Sequence, residues 1–240
     1  MPFGTVTLRR ELEQLGDRWS LPQESPVRLE QLLLELARNP EAPTSVKDPM
    51  RGVGVHIADS LSALQVDGFR NLTRIADIGS GAGFPGLALA LALPGSRFDL
   101  IEATGRKCVF LERIVDRLRI ENARVVCDRV EVWAASEGAE AYSGVVVRAV
   151  GSLATLLEYS APILELGGKL VALKGRRDPD EERQAEAASS VLGMRLVSVE
   201  WVGPYAGSKN RHIYSYDKAA PTPPRFPRRP GMARKRPLGG

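Results

Sequence analysis

Long hydrophobic runs are missing from this sequence of 240 residues. No stretch of about 18 apolar residues occurs, which argues against a membrane-spanning helix. The first residues, MPFGTVTLRRELEQLGDRW, include acidic side chains and lack the continuous apolar core of a signal peptide. Hydrophobic residues make up 43% of the chain and charged residues 26%, as in ordinary globular proteins. These features predict a cytoplasmic protein with a single large α/β domain or a domain with an appendage.

Cysteine and histidine are scarce, with two residues of each. Cys108 and Cys127 lack metal-binding spacing, and the sequence predicts no metal site. We expect both cysteines to lie as buried apolar side chains in a reducing compartment. His56 falls on an amphipathic helical pattern, which favours a structural packing role over a catalytic one.

Acidic residues are absent from residues 219–240, AAPTPPRFPRRPGMARKRPLGG. This tail holds six basic residues, so the rest of a chain whose net charge is +4 carries −2. It also holds six of the seventeen prolines, which oppose both helix and strand. Two interpretations stay open: an arm that displaces counterions from nucleic-acid phosphates, or a solubilising, disordered end.

Hydrophobic periodicity predicts helices over 7–17, 25–38 and 54–65, followed by alternating strands and helices. Strands are predicted over 74–78, 98–101, 123–127, 144–148 and 169–173, with helices over 86–93, 107–118, 153–164 and 179–192. Two final strands, RLVSVEWV and RHIYSYD, have too short a connection for a helical crossover and should form an antiparallel hairpin. The predicted fold is an α/β, mostly parallel sheet with this hairpin at its end. The predicted units are a helical cap over 1–70, a sheet domain over 71–218 and the tail over 219–240.

The segment 77–86, DIGSGAGFPG, joins a predicted strand to a predicted helix and suggests a site for a nucleoside cofactor. Its later glycines satisfy the dinucleotide fingerprint G-x-G-x-x-G, with Glu102 placed as a ribose ligand. Counted from Asp77, it also satisfies the D-x-G-x-G-x-G pattern of methyltransferases that use S-adenosylmethionine. The hairpin and the absence of a second large substrate domain favour the methyltransferase over a nicotinamide oxidoreductase.

Further segments give the chain a specific resemblance. Together with the glycine segment, they are LIEATGRKCVFLERIVDRLRIENARVV, RVEVW, VVVRAVGSL and GGKLVALKG. They resemble the bacterial ribosomal RNA small-subunit guanine-N7 methyltransferases, also called the glucose-inhibited division protein B family. The resemblance runs from about Leu29 to the C-terminus and includes HIADSL and FPRRPGMARKRPL. Two departures from the family pattern, at 42–44 and at Ser143, concern the shape of the substrate entrance.

The resemblance implies a Rossmann-like class I methyltransferase domain that binds S-adenosylmethionine and methylates a guanine of 16S rRNA. It also implies a monomer that acts on the assembled or assembling 30S subunit. It assigns cofactor contacts to Gly79, Phe84, Val130, Glu131 and Arg148. Reasoning from the residues themselves adds three more, which are Asp77, Gly81 and Glu102.

Physical roles follow for two of these residues. The carboxylate of Glu102 can accept hydrogen bonds from two ribose hydroxyls. Arg148 ends the fourth predicted strand, where α/β sheets bind their ligands. A salt bridge from Arg148 to Asp77 or Glu102 is the alternative.

The predicted chemistry requires no general base. Enzymes that methylate an exocyclic amine usually carry an Asp/Asn-Pro-Pro-aromatic motif after the fourth strand, where this chain has RAVGS. Guanine N7 has an exposed lone pair and loses no proton on methylation, so catalysis becomes alignment, aided by Arg148. Basic residues predicted to contact RNA phosphates are Arg106, Lys107, Lys174, Arg176, Arg225, Arg228 and Arg229. Two alternatives stay open: a small-molecule methyltransferase of the same fold, and an RNA-binding protein without turnover.

Overall fold

A computed structural model describes residues 2–203, 205 and 210–240. The cap begins with two helices, α1 (Pro2–Arg18) and α2 (Ser25–Arg38). Helix α2 has proline in its first turn and buries one leucine-rich face, as its periodicity predicted. In the described part of the chain, no helix is both long and apolar enough to cross a membrane.

The predicted third helix of the cap is a chain of short helical segments with different hydrogen-bond patterns. It runs from α3 (Pro49–Gly52) through a π-helical turn (Val53–Ala58) to α4 (Asp59–Leu61) and a 3₁₀ turn (Ser62–Gln65). Sequence periodicity does not distinguish these patterns, because each segment is too short, at three to six residues, for its period to show. The π-helical turn carries His56.

In the described residues, seven strands form one sheet in the order β3-β2-β1-β4-β5-β7-β6, and of these strands β7 alone is reversed. The predicted sheet and hairpin are therefore confirmed. The strands are β1 (Arg74–Ile78), β2 (Arg97–Ile101), β3 (Ala123–Val126), β4 (Tyr142–Arg148), β5 (Leu164–Lys174), β6 (Met194–Val202) and β7 (Arg211–Lys218). Parallel register places Ile78, Ile101 and Val126 side by side, so the loops that follow β1, β2 and β3 meet at one edge.

Helices cover both faces of the sheet. They are α5 (Gly86–Ala92), α6 (Gly105–Arg117), α7 (Val130–Trp133), α8 (Leu153–Ser160), α9 (Pro179–Leu192) and α10 (Met232–Lys235). One hydrophobic core joins the cap to α5 and α6, and the other lies under α8 and α9. The predicted helix over 153–164 was too long, because β5 already begins at Leu164. The short helices α7 and α10 were not predicted.

The tail packs against the domain, so of the two open interpretations of the tail, the disordered end is wrong. Phe226 and Ala233 are buried in the second core, beneath α8 and α9. Their apolar contacts fix a segment whose proline content argued only against long regular elements.

The expectation that both cysteines are buried, reduced side chains was correct for the burial of Cys108 alone. Cys108 on α6 and Cys127 after β3 form a disulfide with a Cα–Cα distance of 5.6 Å. Cys108 is buried, but Cys127 is exposed. Their proximity depends on how α6 packs beside β3, which their spacing in the sequence does not reveal.

Candidate active site

The glycine segment forms a tight loop between β1 and α5. Gly79 and Gly81 have φ angles of +71° and +57°, which favour glycine. The Gly79 amide donates to the carbonyl of Ile101 at 2.8 Å and so joins the loop to β2. A Cβ atom on Gly79 would lie 2.6 Å from the side chain of Val150, so glycine is required for packing as well as for φ.

Asp77 holds the far end of this loop. Its Oδ2 accepts a hydrogen bond from the amide of Gly86, the first residue of α5, at 2.9 Å. The side chain is fully buried, and its Oδ1 has no hydrogen-bond partner among the described residues. Burial raises the pKa of Asp77 to about 6, although the Gly86 amide, Ser80 and the charge of Arg148 oppose the increase. The structure thus places Asp77 beneath the loop, where it orders the backbone.

Glu102 connects the glycine loop to the loop after β2. Its Oε2 accepts from the Gly81 amide at 3.1 Å, and its Oε1 accepts from the Thr104 amide at 2.9 Å. Lys107 Nζ lies 3.9 Å from Oε2. Although only 6% exposed, Glu102 lies on a cleft, and its carboxylate retains further acceptor capacity.

The cleft, of about 380 Å³, lies at the carboxyl ends of β1, β2 and β3. It brings together four of the predicted cofactor residues, which are Gly79, Glu102, Val130 and Glu131. Ala149 lines the same cleft with a φ of +57°, a left-handed conformation that is uncommon outside glycine. A cleft at this edge of a parallel sheet is the usual ligand site of α/β proteins.

The tail closes one side of this cleft, which sequence reasoning did not predict. The Gly231 amide donates to Glu131 Oε1 at 2.7 Å, and Arg234 of α10 is one of the lining residues. No motif signals this contact, because it joins residues about 100 positions apart.

Arg148 points to a second cluster, toward the cap. Its Nη1 donates to Asp59 Oδ2 at 2.7 Å and to the carbonyl of Val55 at 2.9 Å. Arg211 Nη2 donates to the same Asp59 oxygen at 3.0 Å, and the Tyr205 hydroxyl donates to Oδ1. The ion-pair partner of Arg148 is therefore Asp59, and not Asp77 or Glu102 as the alternative had it. Neither Asp59 nor Arg211 was singled out from the sequence.

Phe84 lies in the core between the glycine loop and the cap. Its ring stacks on that of His56, with centroids 4.5 Å apart, and the Arg148 guanidinium lies 5.8 Å from the Phe84 centroid. Burial lowers the pKa of His56, and its Nε2 lies within hydrogen-bond distance of Thr44 Oγ1 and the Val46 carbonyl. These contacts favour a neutral, structural histidine.

The two departures from the family pattern lie in different places. Ala42 and Pro43 directly precede Thr44, which matches the pattern and contacts His56 in the cap, near Phe84. Ser143 lies at the amino end of β4, where its Oγ accepts from the amides of Thr73 and Arg74 at 2.9 and 3.1 Å. Because the cleft is at the opposite edge of the sheet, Ser143 does not shape it.

The predicted RNA-binding residues divide into two groups. Lys174 and Arg228 pair with Glu181 and Glu158, respectively, and Lys107 lines the cleft. The other four are exposed, and they are Arg106, Arg176, Arg225 and Arg229.

Comparison with known proteins gives a family match over residues 28–214, to the model described as rRNA small subunit methyltransferase G. A protein named "Ribosomal RNA small subunit methyltransferase G" from Rubrobacter xylanophilus is 38% identical over 97% of this chain and 90% of its own length. One of the same name from Chloroflexus aggregans is 39% identical over 81% of this chain and 82% of its own. In fold, the chain is similar to a predicted O-methyltransferase from Agrobacterium tumefaciens. The TM-score is 0.53 at 22% identity, over 68% of this chain and 81% of the other.

Proposed function

The chain belongs to the rRNA small subunit methyltransferase G family, and we propose that it transfers a methyl group from S-adenosylmethionine to N7 of a guanine in 16S rRNA. The observation that carries the proposal is the position of Glu102. Its carboxylate lies beside the glycine loop, at the edge of a sheet whose reversed β7 is typical of methyltransferases.

The residues of the cleft fit this cofactor. Glu102 supplies the carboxylate for two ribose hydroxyls, and Val130 supplies an apolar wall for the adenine. Gly79 and Gly81 present backbone without side chains, and Glu131 lies next to Val130. When bound, the cofactor supplies an electrophilic methyl group on a sulfonium sulfur.

The reaction needs alignment more than proton transfer. With the cofactor held by Glu102 and Val130, its sulfonium methyl would be available to the N7 lone pair, and a neutral thioether would be the leaving group. N7 carries no proton, so no side chain has to act as a base. Arg148, held by Asp59 and by the carbonyl of Val55, has a fixed position from which to orient the guanine. Phe84 and His56 pack beside it and keep water away from this side.

The exposed basic residues support an RNA substrate. Four arginines face solvent and are free to contact RNA phosphates, and they are Arg106, Arg176, Arg225 and Arg229. Lys107, Lys174 and Arg228 also belong to the proposed set, although all three already pair with carboxylates. We propose a monomer in the cytoplasm that acts on the assembled or assembling 30S subunit.

Nucleoside analysis of 16S rRNA from a strain of the source organism that lacks this protein tests the proposal. We expect the loss of one 7-methylguanosine, restored by the wild-type gene and by the Glu112→Gln variant. Glu112 is an exposed residue of α6 and serves as the matched control. The Glu102→Gln variant should restore little. Unchanged 7-methylguanosine in the deletion strain would refute the proposed substrate and favour the small-molecule alternative.

A further inference from the structure

The tail returns to the cofactor cleft and is anchored there. Arg228 makes two hydrogen bonds to the carboxylate of Glu158, at 2.6 and 2.5 Å, and a third to the carbonyl of Arg236 at 2.8 Å. The Glu158 side chain is 3% exposed, so this is a buried, bidentate ion pair on α8. It fixes both ends of the segment 228–236.

Two further contacts fix α10 between these ends. The hydroxyl of Thr155 on α8 donates to the carbonyl of the buried Ala233 at 3.2 Å. The Gly231 amide donates to Glu131, which itself lines the cleft. Helix α10 therefore has a defined position, and Arg234 lies at the rim of the cleft because of it.

The surroundings of Arg234 suit a nucleoside. It lines the cleft together with Tyr159, Val130 and Glu131, and it lies close enough to Tyr159 for the two side chains to interact electrostatically. A guanidinium group is planar, stacks on aromatic faces and offers several donors in a fixed geometry. A purine base presents both a π face and acceptor nitrogens. Arg234 is one of three basic side chains in the lining, with Lys107 and Arg129, and it is the one that the tail supplies.

We infer that Arg234 is a cofactor-binding residue, supplied by the C-terminal tail and contacting the adenosine end of the ligand. This inference rests on the proposed function, because it assigns a wall of the same cleft. It gives the tail a role in cofactor binding that is separate from contact with RNA.

Isothermal titration calorimetry of the full-length protein tests the inference. The ligands are S-adenosylhomocysteine and 5′-methylthioadenosine, which lacks the amino-acid end. We expect Arg234→Ala to raise the Kd of both ligands by roughly tenfold, as for the loss of one charge-assisted hydrogen bond. Lys235→Ala is the matched control, since Lys235 is an exposed basic residue of the same helix, and it should change neither Kd by more than about twofold.

Other outcomes would overturn the inference in distinguishable ways. Equal affinities of wild type and Arg234→Ala for both ligands would mean that the tail only covers the cleft. A higher Kd for S-adenosylhomocysteine alone would show that Arg234 contacts the amino-acid end of the ligand and not the adenosine end. If the wild-type protein bound neither ligand, the proposed cofactor itself would be wrong, and the inference would fall with it. The Arg234→Lys variant is a further test. A Kd for both ligands equal to that of wild type would show that the positive charge, and not a stacked, planar guanidinium, makes the contact.

Discussion

The Glu102 carboxylate accepts a hydrogen bond from the amide of Gly81 at 3.1 Å, so the loop after β1 and the residue that follows β2 are joined directly. Thr104 satisfies the second oxygen of the same carboxylate. The acid that is placed to bind ribose therefore also fixes the shape of the glycine loop. A change at Glu102 is therefore expected to alter both the conformation of the glycine loop and the binding of ribose.

Replacing Glu102 by glutamine should damage cofactor binding more than folding. The substitution turns one of the two carboxylate oxygens into an NH₂ group, which donates hydrogen bonds. This group either faces a backbone N–H, which is also a donor, or can no longer accept a hydrogen bond from a ribose hydroxyl. We expect the Kd of S-adenosylhomocysteine, measured by calorimetry, to rise at least about tenfold. Glu112→Gln, with the same change of charge on an exposed surface, should bind like wild type. Equal affinities for Glu102→Gln and wild type would argue against the assigned role.

The buried carboxyl of Asp77 should make stability depend on pH. Its pKa is raised from 3.8 to about 6, so the native state holds this proton more tightly than the unfolded state. The resulting stabilisation is complete below pH 3.8 and is lost as pH rises through about 6. Asn can still accept the Gly86 hydrogen bond but does not titrate.

Urea denaturation of wild type and Asp77→Asn at several pH values measures this contribution. Subtracting one free energy of unfolding from the other removes the titration of other groups. We expect wild type to lose up to about 3 kcal/mol relative to the variant between pH 4 and pH 7. A difference that stays constant with pH would show that the pKa of Asp77 is the same in the native and unfolded states.

Asp59 should be important for stability because it forms ion pairs with two arginines. Its side chain is 2% exposed and accepts from both Arg148 and Arg211. Asp59→Asn leaves two neighbouring cations without a counter-charge, and we expect the free energy of unfolding to fall by about 3 kcal/mol. Chemical denaturation compares it with Asp67→Asn, an exposed position of the cap. A loss no larger than that of the control would mean that water replaces the ion pairs.

Breaking the anchor of the tail should release it. Arg228→Ala leaves Glu158 buried without its partner, and the tail should open more often. Limited trypsin digestion, followed by mass spectrometry, should show cleavage after Arg234 and Lys235 about tenfold faster than in wild type. Arg229→Ala changes an exposed neighbour and provides the control. Identical cleavage rates in both variants would contradict the anchoring role of the Arg228–Glu158 pair.

The sheet and its hairpin could be predicted because each depends on local patterns. Strand periodicity, the glycine segment and a short final connection are all visible within a few residues of one another. Glu102 was found for the same reason, since a strand end beside a glycine loop is a sequence-local signal. The structure places it on the cleft with Gly79.

The parts that sequence did not predict depend on distant residues. Asp59 meets Arg148 and Arg211 only after the cap packs across the sheet. Composition argued for an extended tail, but the buried contacts of Arg228 and Ala233 outweigh its prolines. The disulfide likewise depends on the packing of α6 against the loop after β3. In each case the decisive partner lies far away in the chain, where no spacing rule applies.

Methyl transfer to isolated subunits tests the central claim most directly. The assay combines the purified protein, S-adenosylmethionine labelled in its methyl group, and 30S subunits from a strain that lacks the protein, with nucleosides identified by mass spectrometry. We predict label in 16S rRNA as 7-methylguanosine and in no other nucleoside. Label in a different nucleoside, or none although the labelled cofactor binds, would contradict the account.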